Sequence, residues 1–405
     1  MSRIDELIAE LCPNGVEYKK LGEVASISRG GSFQKKDFCE DGVPCIHYGQ
    51  IYTRYGLFAD KTLTFISEDA AKKQKYAVKN DIVMAVTSEN IDDVCKCVAW
   101  LGDDEIAVSG HTAIIHHTLN PKYLCYYFHT AMFYAQKKKL AHGTKVIEVT
   151  PDKLADITIP VPPMEVQSEI VKVLDNFTEL TAELTAELTA RKKQYEYYRD
   201  LLLDFDVHGG GTSECEWRTI RLGDIGKISM CKRIMKSETS PDGDIPFYKI
   251  GTFGGEPNAY ISKDTFEKYK SLYSFPKKGE ILISAAGTIG RTVVYDGEPA
   301  YYQDSNIVWI DNDETMVLNR YLYYVYQLSP WQISTGGTIA RLYNDNIANA
   351  KINIPPIKEQ ERIVSILDRF DKLCNDISEG LPAEIEARRK QYEYYRDKLI
   401  SFNEA

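Results

Sequence analysis

The side chains with the most chemical reach lie in short polar loops. Arg29-Gly-Gly-Ser-Phe-Gln-Lys-Lys36 combines positive charge, a flexible backbone and one aromatic ring. His47-Tyr-Gly-Gln50 and Tyr52-Thr-Arg-Tyr55 interleave rings with hydrogen-bonding groups. Lys232-Arg233, Lys236, Tyr248-Lys249, Gly287-Thr288, Arg291 and Gln303-Asp-Ser-Asn306 repeat the mixture in the second half. Arg, Lys, Asn and Gln match base edges, whereas Ser, Thr, Lys and glycine N–H groups hold phosphates. Any one such loop, taken alone, reads better as a solvated turn. Its recurrence in two divergent halves favours a binding surface. The expected DNA contacts are Arg29, Ser32, Gln34, Lys35, Lys36, His47, Tyr48, Gln50, Arg54, Tyr55, Thr144 and Lys145 in the first half. In the second they are Lys232, Arg233, Lys236, Tyr248, Lys249, Thr288, Arg291, Gln303, Asn306, Thr338 and Arg341.

Catalytic patterns are absent from the sequence. It has no Gly-x-x-x-x-Gly-Lys-Ser/Thr phosphate loop and no Gly-x-Ser-x-Gly elbow. Gly287-Thr-Ile-Gly-Arg291 lacks the third glycine and following helix of a nucleotide site. No Asn-Pro-Pro-Tyr-type methylation motif occurs, and neither Pro151-Asp152 nor Pro241-Asp242 is followed by a nuclease-type acid-x-Lys pair. Cys95-x-Cys97 with His111, His116, His117 and His129 invites a zinc reading, but structural zinc prefers two residues between paired cysteines. The expectation is an ordinary strand with both thiols on one face, and no metal.

Two repeats must position these loops. Ala190-Arg-Lys-Lys-Gln-Tyr-Glu-Tyr-Tyr-Arg-Asp200 recurs as Ala387–Asp397 with one change, Lys192 to Arg389. Upstream, Pro162-Pro163, Gln167, Ile170-Val171, Leu174-Asp175 and Phe177 match Pro355-Pro356, Gln360, Ile363-Val364, Leu367-Asp368 and Phe370. The chain is therefore a variable block and a shared helical block, twice over. The expected bounds are a recognition domain over 1–160, a helical spacer over 161–207, a second domain over 208–353 and a second spacer over 354–405.

Within the variable blocks, strands are expected at Val43–Ile46, Asp81–Val86, Cys95–Trp100 and Thr112–Ile115, with counterparts at Ile245–Tyr248, Glu280–Ser284, Thr292–Tyr295 and Ile307–Ile310. A helix follows in each, Lys122–Leu140 and Asn319–Leu328, and then a Gly-Thr loop. The fold class is α+β, two mixed α/β domains separated by long helices. The first helical block shows an uninterrupted apolar stripe from about Glu165 to Phe205, roughly 60 Å of helix. Its middle repeats Thr-Ala-Glu-Leu, each unit adding roughly 6 Å while nearly keeping one face. The second block carries Gly380-Leu-Pro382 instead, which should break the helix. His208–Ser213 reads as a flexible joint.

The near-identical Tyr-Glu-Tyr-Tyr-Arg segments suggest twin docking surfaces for two copies of one partner. The expected residues are Arg191, Tyr195, Tyr198 and Arg199, with Arg388, Tyr392, Tyr395 and Arg396. The net charge of −10 argues against a generic nucleic-acid binder but permits a local basic face. No apolar run reaches membrane-spanning length, the start reads as an amphipathic helix and no signal peptide, and nine irregularly spaced cysteines suit a reducing cytoplasm.

The chain resembles the DNA-specificity subunit of type I restriction–modification systems. The resemblance rests on the duplicated plan, Lys20-Leu-Gly-Glu23 and Arg221-Leu-Gly-Asp224 opening the variable blocks, and the Pro-Pro-x(3,4)-Gln-x-x-Ile-Val lead-in to each helix. It rests further on the Arg-Lys-Lys-Gln-Tyr-Glu-Tyr-Tyr-Arg-Asp ending and the Thr-Ala-Glu-Leu repeats, which mark one branch of that family. The resemblance implies two recognition domains that each read half of a bipartite double-stranded DNA target. It implies long helices paired as an antiparallel coiled coil, a gap set by the spacer, and two docked methyltransferase subunits. Two further subunits with translocase and nuclease activity would join for restriction. S-adenosylmethionine, ATP and Mg2+ would belong to those partners, with no cofactor and no catalysis in this chain. A protein-interaction scaffold without a DNA role, or an enzyme carrying its own recognition domains, are the competing readings.

Overall fold

The computed structural model describes residues 3–205, 216–333 and 340–405. It divides into two compact units. The first takes residues up to Thr185 together with Glu384–Ala405; the second is Ala186–Ala383. The helices that frame the loops are α1 (Pro121–Tyr127), α2 (Ala131–Leu140), α3 (Met164–Leu203), α4 (Asn319–Gln327), α5 (Ile357–Asn375) and α6 (Leu381–Leu399).

The first unit is built on a five-stranded mixed sheet. Its order is Ala25–Arg29, Thr112–His117, Ile82–Ala85, Cys97–Trp100 and Phe58–Ala59. Ile82-Val-Met-Ala85 is buried on both faces, as a near-continuous apolar run must be in a central strand. A second five-stranded sheet contains Val43–Ile46 between Thr64–Ile66 and Ile106–Val108. The second unit repeats the plan in reduced form. Gly226–Ser229, Ile307–Asn312, Ile281–Ser284 and Thr292–Val294 form one sheet, and Ile245–Tyr248 is central in a smaller one.

Two expectations need correction. Lys122–Leu140 is not one helix. The chain turns at His129, and the Thr130 side chain caps α2 by accepting the Phe133 N–H at 3.2 Å. Cys95 is not on the strand with Cys97. It sits at φ 68° and donates its N–H to the Ala85 carbonyl, so the two thiols share no strand face. The break in the second helical block falls where expected, between Asn375 and Leu381. A Cβ on Gly380 would lie 2.5 Å from the Lys372 carbonyl oxygen, so only glycine fits there. The joint at 208–213 lies outside the described residues.

Each unit fastens its helix to its sheets with the same polar pegs. Gln167 accepts the Asn120 N–H at 2.9 Å and donates to the Pro162 carbonyl at 2.8 Å. Gln360 accepts the Leu318 N–H at 2.9 Å and donates to Pro355 and Met316 carbonyls at 2.8 and 3.0 Å. Asp175 receives the Tyr126 hydroxyl at 2.7 Å and Lys122 at 2.5 Å; Asp368 receives the Tyr324 hydroxyl and Arg320 at 2.5 and 2.6 Å. Gln360 is fully buried. Gln360→Leu strands three backbone groups and should cost about 2–4 kcal/mol, read as a lower urea midpoint for the second unit.

The repeated helix ends are exchanged between the halves of the sequence. In the first unit α6, from the second repeat, supplies Tyr392 against Tyr126 (6.2 Å) and Tyr395 stacked on Phe177 (5.5 Å). The chain then pairs Val16 with Asn403–Ala405, the Val16 N–H donating to the Asn403 carbonyl at 2.8 Å. In the second unit the end of α3, from the first repeat, supplies Tyr195, whose hydroxyl donates to Gln327 at 2.9 Å, and Tyr198 stacked on Phe370 at 5.7 Å.

Candidate nucleic-acid interface

Five loops of the first unit meet at the ends of its strands. Gly31 N–H donates to the Val108 carbonyl at 2.6 Å. Arg29 donates to the Gly110 carbonyl at 2.9 Å and pairs with Glu148 at 2.9 Å. Tyr48 N–H donates to the Ser109 hydroxyl at 2.9 Å, and its ring lies 4.8 Å from that of His111. His111 bonds the Thr87 hydroxyl at 3.1 Å, while Tyr52 donates to the Thr87 carbonyl at 2.6 Å. Residues 147–148 pair with 87–88. The segments 29–34, 47–55, 87–88, 109–111 and 142–148 therefore make one continuous surface.

Not every expected residue faces outward there. Gln50 spends its side-chain oxygen on the His47 N–H at 3.1 Å and the Thr64 hydroxyl at 3.3 Å. The Tyr55 hydroxyl accepts the Leu63 N–H at 2.9 Å. Arg29 is partly neutralised by Glu148. Ser32, Gln34, Lys35, Lys36, Arg54, Thr144 and Lys145 are exposed. Sequence reading missed Ser109 and Glu148 and singled out His111 only for zinc; all three lie at strand ends. His47 is buried between Phe33, Phe38 and Tyr48. Burial above all, with Lys35 and His111 nearby, pushes its pKa down to about 4, so it is a neutral hydrogen-bonding ring and no phosphate cation. Burial likewise lowers His117 to about 4. The unfolded chain takes up both protons near pH 6.5, whereas the folded chain resists until about pH 4. Thermal stability should therefore fall as pH drops through that window, and His47→Gln should flatten the fall in a melting series.

The second unit assembles the corresponding loops. Arg233 pairs with Asp304 at 3.0 Å, and the Tyr301 hydroxyl donates to the Lys232 carbonyl at 3.0 Å. Gln303 donates its N–H to the Tyr248 carbonyl and accepts the Ile250 N–H, both at 2.9 Å. Arg291 donates to the Phe253 carbonyl at 2.8 Å. Arg341 donates to the Ser305 carbonyl at 2.7 Å, and Leu342 and Asn306 both bond Ala285 through the backbone. Segments 230–236, 248–253, 285–291, 303–306 and 341–343 thus repeat the convergence. Lys236 and Thr288 are exposed; Lys249 and Asn306 are half-buried. Lys232 lies over the Tyr273 ring at 5.1 Å. Thr338 lies outside the described residues.

The helical residues expected to dock a partner divide by role. Tyr195 and Arg199 are turned inward, Arg199 reaching Asp200 at 2.7 Å. Tyr392 and Arg396 are their twins, Arg396 pairing with Asp397 at 2.8 Å. Tyr198 and Tyr395 stack on the neighbouring helix. Arg191 bonds Glu187 and Gln194, and Arg388 bonds Glu384 and Gln391. The tyrosines left open are Tyr197 and Tyr394, 64% and 60% exposed. Each borders an open hollow of its own unit: Tyr197 with Asp200, Leu201 and Asp204, Tyr394 with Asp397, Lys398 and Ser401, the same positions of the repeat. Sequence reading passed over these two because spacing alone does not say which of three tyrosines faces out.

Two sheet-based units of one plan, each ending in a cluster of polar and basic loops and each pegged to a helix of the repeated block, define a modular recognition protein. The sequence model described as the type I restriction modification DNA specificity domain matches residues 13–191 and 214–387. The chain belongs to this family of specificity subunits, the non-catalytic recognition components of their complexes. It is 55% identical over 405 residues, covering 96% of both chains, to a Haemophilus influenzae protein described as a putative type I restriction enzyme specificity subunit. It is 37% identical over 254 residues, 59% of this chain and 60% of the other, to the Escherichia coli EcoR124I/EcoR124II specificity subunit. The type I system S subunit of M. genitalium shares the fold with a TM-score of 0.53 at 14% identity over 96% of this chain and 97% of that one. A chain from a solved type I restriction–modification assembly scores 0.61 at 18% identity, covering 96% and 98%.

Proposed function

We propose that this chain is the specificity subunit of a cytoplasmic type I restriction–modification complex, and that its two loop clusters each read one half of a split double-stranded DNA site. The duplicated convergence of five loops in both units carries this reading. Residues 1–160 and 208–353 act as the recognition domains, and 161–207 and 354–405 as the helical spacers. Lys35, Lys36, Arg54 and Lys145, with Lys236, supply phosphate contacts. Tyr48, Asn306 and the backbone of the glycine loops meet base edges. Half-sites on one face of the duplex lie about 34 Å apart, a distance that a long helix can bridge. Antiparallel pairing of the spacers is supported in the second unit, where Tyr198 stacks on Phe370 while Lys192 and Arg191, earlier in α3, act on Cys374, later in α5.

Two methyltransferase subunits dock on the repeated helix ends, and two restriction subunits join them. S-adenosylmethionine, ATP and Mg2+ enter with those partners. The deciding experiment is a genome-wide map of methylated adenine in cells expressing this chain with its neighbouring methyltransferase subunit. The expected result is a split motif that disappears when this chain is deleted. Methylation that persists unchanged without it would overturn the reading.

A further inference from the structure

Three metal-binding side chains meet inside the first unit, and they are not the set that spacing suggested. Cys97 comes from the strand Cys97–Trp100, Cys125 from α1, and His129 from the turn before α2. The two sulfurs are 3.5 Å apart. One ligand atom from each of the three side chains lies within 4.8 Å of the others.

The geometry and charge suit one cation. Two sulfurs at that separation subtend about 100° at an ion with 2.3 Å bonds, close to tetrahedral zinc. His129 Nδ1 lies 2.9 Å from the Cys125 carbonyl oxygen. A carbonyl only accepts, so Nδ1 carries the proton and Nε2 keeps its lone pair. Metal-bound imidazoles are typically held in this way through their other nitrogen. Two thiolates and a neutral imidazole around Zn2+ sum to zero charge, the cheapest state for a buried ion. The Cys125 thiol donates to the Leu57 carbonyl oxygen at 3.2 Å, which also accepts the Ala99 N–H at 2.9 Å.

We propose that Cys97, Cys125 and His129 supply three ligands of a zinc(II) site, with the fourth position open. On binding, two S–H bonds break, two Zn–S bonds and one Zn–N bond form, and two protons leave to solvent without any change of oxidation state. The ion ties the turn between α1 and α2 to the sheet strand that follows the Thr87–Cys95 segment, and so braces one wall of the loop cluster. Cys95 takes no part.

The test uses the full chain, purified under reducing conditions without chelator. Zinc per chain is measured by mass spectrometry of the elements. After chelator treatment, Co2+ is titrated and the near-ultraviolet thiolate-to-cobalt band recorded. One zinc per chain and a band saturating at one equivalent are expected. Cys97→Ser and His129→Gln each abolish both, whereas Cys95→Ser retains them. A wild-type chain with neither zinc nor the cobalt band overturns the proposal, as does a band that survives Cys97→Ser. If Cys97→Ser does not fold, His129→Gln decides, with circular dichroism confirming its fold.

Discussion

Excising Thr181–Leu184 should abolish methylation at the native target and create it at one whose central gap is shorter by one or two base pairs. Four helical residues carry roughly 6 Å, against about 3.4 Å per base pair along a strand. Removing one complete unit also rotates the C-terminal part of α3 by about 40° beyond a full turn, so the buried stripe is nearly preserved. The unit is chemically self-contained. Thr178, Thr181 and Thr185 return their hydroxyls to the carbonyls of Leu174, Phe177 and Thr181 at 3.1, 2.8 and 2.8 Å. Leu180, Leu184 and Leu188 are only half-buried. Deletion therefore leaves no orphaned polar group and little lost core. The measurement is the same adenine map on the shortened chain. An unchanged gap would mean that α3 does not set the spacing.

Tyr197→Ala with Tyr394→Ala should remove both methyltransferase copies from the complex, and either change alone should remove one. Exposed tyrosine rings are common anchors at protein interfaces, and truncating such an anchor costs about 2 kcal/mol or more, over tenfold in affinity. Lys193, Glu196 and Tyr197 are exposed and identical to Lys390, Glu393 and Tyr394. Beneath them the internal partners agree in part: Tyr198 on Phe370 matches Tyr395 on Phe177, whereas Tyr195 meets Gln327 and Tyr392 meets Tyr126. Identity at these open positions is what two copies of one partner would demand. Native mass measurement of the assembled complex reads the stoichiometry. Tyr198→Ala serves as contrast, because losing its stack on Phe370 should lower the melting temperature of the second unit. Full methyltransferase occupancy on the double variant would place docking elsewhere and leave the DNA-reading role standing.

Much of this protein is set by local pattern. The central strands show as apolar runs such as Ile82–Ala85, because a strand buried on both faces has no polar position to spare. The 40 residues of α3 follow from an apolar stripe uninterrupted by Gly or Pro, and the later break follows from Gly380-Leu-Pro382. The duplication itself is plain in the eleven-residue repeat. The resemblance to specificity subunits rests on that duplication and its repeated motifs, and the family match agrees with it.

Tertiary structure decided what depends on contacts distant in sequence. The α1–α2 break is the local exception: it arises at Thr130, whose hydroxyl is both bonded to the Tyr127 carbonyl and capping α2, a signal that the surrounding apolar pattern masks. Arg29 looked like a free cation until Glu148, far along the chain, was brought to its side. Tyr195, Tyr197 and Tyr198 are alike in sequence, and only the packing of each helix face against its own unit assigns one to the core, one to the stack and one to solvent. Cys97 finds Cys125 and His129, and not Cys95, because a left-handed backbone at Cys95 carries that thiol off the strand while α1 folds across the sheet. Helix and strand periods are written within a few residues; which faces meet is settled only when the whole chain has closed on itself.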